Sequence, residues 1–101
     1  MTPDRSDRRA ADALVSIVLP VFNEAGILQH LTDRIREVMQ AAGQPFELVY
    51  VDDGSSDDSS PMLDALAAND PRIVAVHLSR NFGHQAAVHA GLQQARGAMV
   101  I

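Results

Sequence analysis

Three short polar segments carry the side chains that are most able to do chemistry. They are residues 20–24 (PVFNE), 52–57 (DDGSSD) and 79–84 (SRNFGH). Each follows an apolar run rich in valine, isoleucine or leucine, the pattern of a strand that is buried on both faces of a parallel sheet. Ligands of such sheets bind beyond the carboxyl ends of the strands, so the three segments are expected to meet at one site.

Asp52 and Asp53 form the most informative pair in these segments. Two adjacent carboxylates raise each other's pKa unless a cation or hydrogen-bond donors lie nearby. A charged pair at a strand end therefore predicts a ligand rich in donors, such as a base imide, ribose hydroxyls or a metal. The plainer alternative is a simple turn at residues 54–56, with Asp57 or Asp58 capping the next helix.

The other two segments add groups that suit a nucleotide. Pro20 makes a rigid turn, Phe22 offers an aromatic face and Glu24 adds an acid, which together describe a pocket for a heterocycle and its ribose. Arg80 brings the only positive charge at these strand ends and could meet a diphosphate beside a helix N-terminus. The alternatives are that Phe22 belongs to the core and that Glu24 only favours its helix electrostatically.

The rest of the chain alternates between strand and helix patterns. The predicted strands are residues 14–21, 46–51 and 73–78, and a fourth strand starts at residues 98–101. The predicted helices are residues 25–42, residues from about 60 to a stop at 69–71, and residues 84–96. Gly97 is the predicted cap of the last helix. This order predicts an α/β fold with a parallel sheet and right-handed crossovers. Residues 1–13 mix charges with small residues and are interpreted as a flexible leader. Because the chain ends in mid-strand, it is interpreted as the N-terminal portion of a larger domain.

Composition excludes several classes of function. The chain has 101 residues, 13 acidic and 8 basic, and its net charge of −5 argues against binding to nucleic acid. The absence of cysteine excludes disulfides, thiolate zinc sites and cysteine nucleophiles. His84 and His89 lie five residues apart, a poor spacing for one helical face, so no metal pair is expected. No apolar run approaches the roughly 20 residues of a membrane span, and there is no signal peptide, so a cytoplasmic location is expected.

Three common nucleotide or phosphate folds do not match. The turn after the first strand lacks the G-x-G-x-x-G that lets a backbone approach a pyrophosphate, which argues against NAD or FAD binding. The chain has no lysine and no phosphate-binding loop motif. A phosphoacceptor receiver domain would need paired acids after the first strand, where Asn23 and Glu24 stand, and an aspartate after the third, where Ser79 and Arg80 stand.

Three stretches, in this order, closely resemble the N-terminal half of family 2 glycosyltransferases. They read SIVLPVFNEAG, LVYVDDGSSDDS and VHLSRNFGHQAAVHAGLQQARGAMVI. The most similar branch is the bacterial polyprenyl-phosphate glycosyltransferases related to dolichol-phosphate mannosyltransferase, and the likeness covers about residues 15–101. The resemblance implies a Rossmann-like nucleotide-diphospho-sugar transferase (GT-A) fold, truncated after its fourth strand, in which residues 14–101 form the nucleotide-binding part.

The resemblance also implies the site residues. The nucleotide-binding residues are Pro20, Phe22, Glu24, Asp52 and Asp53. Candidate contacts with the diphosphate or the sugar are Arg80, Asn81 and Gly83. Phe22 stands where tyrosine is commoner in the family, which keeps the ring and loses a hydroxyl. No catalytic residue or metal ligand is expected within the chain, because the family's Asp-x-Asp metal motif would follow Ile101.

The implied reaction is an inverting transfer, in which a lipid phosphate oxygen attacks the anomeric carbon and the nucleoside diphosphate leaves, aided by Mg²⁺ or Mn²⁺. The expected partners are a donor of the UDP-glucose or GDP-mannose type and a polyprenyl phosphate, at the inner face of the cytoplasmic membrane, in the synthesis of cell-envelope glycans. This chain alone is expected to bind nucleotide weakly, to transfer no sugar, and to self-associate through its last strand. A non-catalytic interaction or regulatory module, and an unrelated α/β nucleotide-binding enzyme, stay open as alternatives.

Overall fold

The computed structural model describes residues 13–97 and 99–100. Its strands are β1 (Val15–Val21), β2 (Phe46–Asp52), β3 (Ile73–His77) and β4 (Met99–Val100), and its helices are α1 (Ala25–Ala41), α2 (Ser59–Asn69) and α3 (His84–Gln94). The strands form one parallel sheet in the order β3-β2-β1-β4, which confirms the predicted α/β fold. The chain builds outward from β1 to β3 and then returns to the other side of β1. The topological switch point, where such sheets bind ligands, therefore lies beside β1.

The side chains of β2 divide between two cores, because successive residues of a strand point to opposite faces. Leu48 and Tyr50 join the core beneath α1 and α2, whereas Val49 and Val51 join the core beneath α3. All four are fully buried, which explains why this strand is apolar throughout its middle. Helices on both faces of the sheet thus hold the loops at its carboxyl edge.

Helix α3 lies very close to the sheet at Gly91. A Cβ atom at this position would fall 2.9 Å from Cγ2 of Val51 and closer still to Cγ1 of Val18. Ala87, one turn earlier in the helix, is fully buried on the same face. Small side chains therefore set the depth of α3 and the position of its first turn at the carboxyl edge of the sheet.

A buried polar network ties the strand starts to the chain that enters β4. Glu47 is 1% exposed, and its Oε2 accepts hydrogen bonds from Ser16 Oγ and from the Arg96 main-chain N–H, both at 2.6 Å. Ser16 Oγ in turn accepts the Gly97 N–H at 2.7 Å. Burial would raise the pKa of Glu47, but these donors hold it below its ordinary value.

The network explains why the end of α3 differs from the prediction. The helix ends at Gln94 rather than at Arg96, and the residue that follows it is extended, so Gly97 is not its cap. The N–H of Arg96 donates to Glu47 instead of to a carbonyl of the preceding helical turn. Glycine is needed at Gly97 for a different reason, because an added Cβ would collide with the start of β1.

Two further predictions concern the ends of elements. Helix α2 begins at Ser59, and Asp57 accepts the N–H of Ser59 at 2.9 Å, whereas Asp58 occupies the cap position without a side-chain bond. Residues 1–12 of the predicted leader lie outside the described residues, and its last residue, Ala13, accepts a hydrogen bond from Gln44 at 2.6 Å. Among the residues that the structure describes, no helix has the length and apolar character to cross a bilayer.

Candidate functional site

A cleft of about 280 Å³ opens beyond the carboxyl ends of β1 and β2, against the first turn of α3. Its lining consists of Pro20, Val21, Phe22, Glu24, Asp53, Asn81, Gly83 and His84. Of the eight predicted site residues, all except Asp52 and Arg80 are in this lining. The loops that follow three different strands therefore meet at one place, as their positions in the chain predict.

Asp53 is the buried carboxylate of the cleft. It is 4% exposed, its Oδ1 accepts the N–H of Phe82 at 2.8 Å, and its Oδ2 accepts the N–H of Gly83 at 3.1 Å. The carboxylate thereby joins the end of β2 to the entry of α3. Each carboxylate oxygen can accept two hydrogen bonds, so a donor on a ligand in the cleft can still bind Asp53.

Two glycines allow the main chain to reach Asp53. Gly54 has a φ of 74°, and an added Cβ would lie 2.8 Å from Cα of Arg80 and closer still to the Asn81 main-chain nitrogen. Gly83 has a φ of 103° and a ψ of 164°, a combination that is essentially confined to glycine. These two residues let the loop after β3 lie directly on the turn after β2.

Asn23 joins the loop after β1 to the loop after β2. Its Oδ1 accepts the N–H of Ser56 at 2.8 Å and that of Asp57 at 3.3 Å, while its own N–H donates to Ser55 Oγ at 3.0 Å. Its φ of 52° lies in the left-handed region, which asparagine tolerates better than most residues. Asn23 was not among the predicted site residues, although an asparagine between a strand and a helix is a signal for such a loop contact.

Asp52 turns away from the cleft, towards β3. Its Oδ2 lies 2.9 Å from Nδ1 of His77, and its Oδ1 accepts the N–H of Ser55 at 2.9 Å. The other ring nitrogen of His77 lies 2.7 Å from Oδ1 of Asp64. The chain itself therefore supplies donors to both acids, so their pairing alone is not evidence for a ligand rich in donors. His77 and Ser55 form hydrogen bonds with Asp52, and main-chain N–H groups donate hydrogen bonds to Asp53.

These contacts shift two pKa values in opposite directions. Burial would raise the pKa of Asp52, but hydrogen bonds from His77 and Ser55 outweigh it and hold that pKa below its ordinary value. Burial would lower the pKa of His77, but its bonds to Asp52 and Asp64 outweigh it and raise that pKa. His77 was missed because it ends a strand like any other residue. Its register opposite Asp52 becomes visible only when β2 and β3 are paired.

Phe22 and Arg80 are the two exposed members of the predicted site whose side chains carry a ring or a positive charge. Phe22 is 44% exposed, so the alternative that it belongs to the core is wrong. Arg80 is exposed and its guanidinium carbon lies 4.7 Å from the centre of the Phe82 ring, outside the cleft lining. Glu24 occupies the cap position of α1 without a side-chain cap bond, and it lines the cleft.

The cleft combines two kinds of contact. The carboxylates of Glu24 and Asp53 can accept hydrogen bonds from hydroxyl or imide donors, and the ring of Phe22 offers a stacking face. The first turn of α3 brings main-chain N–H groups that have no partner within the helix, which favours an anion. A polar heterocycle that carries an anionic group matches both.

A divalent ion does not fit the residues that the structure describes. Within that part of the chain, no group of three or more histidine, aspartate or glutamate side chains is arranged so that it could hold one. Asp53, the most buried acid of the cleft, already binds two main-chain N–H groups. The ion that the resemblance implies would therefore need ligands from other residues.

Comparison with known proteins identifies the family. The family model described as glycosyl transferase family 2 matches residues 16–101. The chain belongs to glycosyl transferase family 2. The family resemblance seen in the three motifs is thereby confirmed.

Relatives of this family 2 chain include undecaprenyl-phosphate 4-deoxy-4-formamido-L-arabinose transferases. That of Pseudomonas paraeruginosa is 47% identical over 89 residues, covering 87% of this chain and 26% of the relative. That of Yersinia enterocolitica is 46% identical, covering 86% of this chain and 27% of the relative. The chain thus spans about a quarter of the length of these polyprenyl-phosphate glycosyltransferases.

Two solved structures confirm the GT-A fold. The mannosyltransferase PcManGT from Pyrobaculum calidifontis, in complex with GDP-Man and Mn²⁺, superposes with a TM-score of 0.74 at 25% identity, over 88% of this chain and 26% of that one. S. aureus TarS 1-349 superposes with a TM-score of 0.70 at 22% identity, over 86% of this chain and 26% of that one. The matched part is again about a quarter of the larger protein.

Proposed function

We propose that this chain is the nucleotide-sugar-binding part of a glycosyltransferase that transfers a sugar from a nucleoside diphosphate to a polyprenyl phosphate or a similar acceptor. The observation that carries the proposal is the cleft itself. The ends of two strands and the start of α3 bring a stacking ring, two carboxylates and a helix N-terminus to one place. The polyprenyl-phosphate transferases among the relatives support the acceptor class.

The proposed roles follow from position in the cleft. Pro20 and Phe22 flank the base, while Glu24 and Asp53 accept hydrogen bonds from the base or the ribose. Asp52 supports the site indirectly, by holding the turn that it shares with Asp53. Asn81 and Gly83 lie at the entry of α3, where a diphosphate or sugar would meet main-chain N–H groups. Arg80, which lies outside the lining, is proposed to contact the same group.

The proposed transfer forms one bond and breaks one. An oxygen of the lipid phosphate attacks the anomeric carbon from the face opposite the leaving group, and the bond from that carbon to the diphosphate breaks. The electron pair leaves with the nucleoside diphosphate, so the configuration at the carbon inverts. The donor types are UDP-glucose and GDP-mannose, and the names of the relatives add a formamido-arabinose. A divalent ion belongs to this proposal only with ligands beyond the described residues.

Nucleotide titration tests the proposal. The chain is titrated with UDP and with GDP while its amide resonances are followed by NMR, and we expect one of them to shift amides of the cleft lining. Glu24→Gln and Asp53→Asn are expected to weaken binding about tenfold each, since each removes a charged acceptor. Glu37→Gln, a matched change of an exposed acid far along α1, is the control.

The outcomes separate the alternatives. A folded chain whose cleft amides respond to neither nucleotide contradicts the proposal and favours a non-catalytic module. If Glu24→Gln and Glu37→Gln weaken binding equally, the nucleotide binds outside the cleft. The chain is also expected to transfer no sugar by itself, and turnover by the purified chain in the presence of Mg²⁺ or Mn²⁺ would refute that expectation.

A further inference from the structure

His77 and its two carboxylates form a cluster that the proposed nucleotide contacts do not use. We propose that His77 is a positioning residue, whose protonated ring lies between Asp52 and Asp64 and holds the turn at residues 52–55, and with it the rim of the cleft. The turn carries Asp53, and the rim carries Phe22. The effect on nucleotide affinity rests on the proposed function, whereas the effect on the turn does not.

The geometry around the ring requires a proton on both nitrogens. Nδ1 lies 2.9 Å from a carboxylate oxygen of Asp52, and Nε2 lies 2.7 Å from one of Asp64. Carboxylates only accept, and a neutral imidazole has a single N–H, so it can satisfy only one of these contacts. The imidazolium donates to both. Ser60 Oγ, at 3.2 Å from Nδ1, adds a polar neighbour without a charge.

The charged groups that face His77 come from the two elements packed against β3. Asp52 ends β2 and its side chain is 4% exposed, whereas Asp64 on α2 is 64% exposed. The buried partner depends on the cation much more than the exposed one, because water can solvate Asp64 but not Asp52. Loss of the proton from His77 would therefore destabilise mainly the carboxylate of Asp52.

A continuous series of hydrogen bonds leads from Asp52 to the cleft. The Asp52 oxygen that does not face His77 accepts the N–H of Ser55 at 2.9 Å. Ser55 Oγ then accepts the N–H of Asn23 at 3.0 Å. Asn23 stands between Phe22 and Glu24, which both line the cleft. A change in the orientation of the Asp52 carboxylate is thus transmitted to two of the proposed nucleotide contacts.

The direction of the pH dependence follows from the sign of the pKa shift. The pKa of His77 is raised above its ordinary value, since its carboxylate partners outweigh its burial. The contact is complete below about pH 6.5, the ordinary pKa of histidine, and it is lost as the pH rises through the raised value. Nucleotide affinity is expected to fall over the same range.

The first test follows the turn itself and needs no nucleotide. The ring resonances of His77 and the amide of Ser55 are recorded by NMR from about pH 6 to about pH 9, the range around histidine titration. We expect the Ser55 amide to move with the same midpoint as the His77 ring. Asp64→Asn should lower both midpoints together, and His77→Gln should abolish the step. His30→Gln, a change of an exposed histidine on α1, should leave both unchanged.

A Ser55 amide that stays constant while His77 titrates would overturn the proposal. So would a step in the Ser55 amide that persists unchanged in His77→Gln. Asp64→Asn keeps the test open if His77→Gln fails to fold, because it alters only the exposed partner of the ring.

The second test connects the cluster to binding. Dissociation constants for UDP and GDP are measured at about pH 6 and about pH 9, and the bound nucleotide is expected to be roughly threefold or more weaker at the higher pH in the unmodified chain. His77→Gln should remove this difference. An equal loss in both chains overturns the positioning role in binding. If neither nucleotide binds at any pH while Ser55 still follows His77, the proposed function fails and the positioning of the turn stands.

Discussion

Gly54→Ala is the substitution that best tests how the cleft is held together. Gly54 has a φ of 74°, and its missing Cβ leaves room for the main chain at Arg80 and Asn81. An alanine would have to hold the left-handed conformation, at a cost of about 1–2 kcal/mol. It would also push against main chain, which cannot rotate aside as a flexible side chain can. Overpacking of this kind costs a further ~1–3 kcal/mol.

Gly43→Ala is a matched control for the conformational part of this cost. Gly43 has a φ of 65°, and nothing lies within 4 Å of the place where its Cβ would be. We therefore expect Gly43→Ala to lose only about 1–2 kcal/mol, and Gly54→Ala to lose about 2–5 kcal/mol in total. For a domain whose whole stability is of order 5–15 kcal/mol, that difference is readily measured.

The assay is urea unfolding of both variants, followed by circular dichroism at matched pH and salt, together with the amide spectrum of each folded protein. In Gly54→Ala the loop after β3 must move outward, so the N–H groups of Phe82 and Gly83 should lose their bonds to Asp53 and shift. Gly43→Ala should leave both amides in place. The reasoning is refuted if the two variants lose the same free energy, or if the Phe82 and Gly83 amides of Gly54→Ala are unchanged.

Three further outcomes are expected. Gly91→Ala should lower the free energy of unfolding by ~1–3 kcal/mol, because the added Cβ would press against the valine side chains of β1 and β2. Urea unfolding measures this loss. Gly26→Ala, where the space is open, is the control, and an equal loss in both variants would contradict the prediction. Hydrogen bonds from Arg72 and Arg36 outweigh the burial of Asp70 and lower its pKa from 3.8 to about 2. A lowered pKa means that the stabilisation is present above about pH 4 and is lost as the pH falls towards 2. At about 1.4 kcal/mol for each unit of pKa shift, this stabilisation amounts to ~2 kcal/mol. Acid titration of the folded chain, compared with the same titration of Asp70→Asn, checks this value. Self-association through the outer edge of β4 stays a prediction, and sedimentation velocity at two concentrations decides it, since a single monomeric species at both would reject it.

Much of the fold follows from local pattern. The strands around Leu48 and Val18 are apolar runs with turn residues at their ends, and the spacing of Leu28 and Leu31 predicts α1 to within a residue of its observed end. Such features depend on residues near one another in the chain, so hydrophobic periodicity is enough to find them. The alternation of strands and helices then leaves a parallel sheet as the architecture, and the carboxyl edge as the place to look for a site.

The same sequence located the cleft but not its internal supports. Phe22, Glu24 and Asp53 were predicted because strand ends converge by rule, and all three line the cleft. The sequence does not reveal His77 or Asn23 as supports of the cleft, nor that Asp52 faces His77. The decisive contacts are long-range, because Asp52 lies 25 positions from His77 and Asn23 lies 33 positions from Ser56.

What the sequence by itself determined about this protein is its class, its order of elements and its family. These are carried by short-range periodicity and by motifs whose residues are adjacent or nearly so. Only the tertiary structure decided which acid faces the cleft and which faces a histidine, because the pairing of β2 with β3 places His77 opposite Asp52. It also decided why Gly54, Gly91 and Gly97 must be glycine, since each is required by the approach of a distant segment. Close packing between remote parts of the chain is a property of the folded molecule, and no local pattern encodes it.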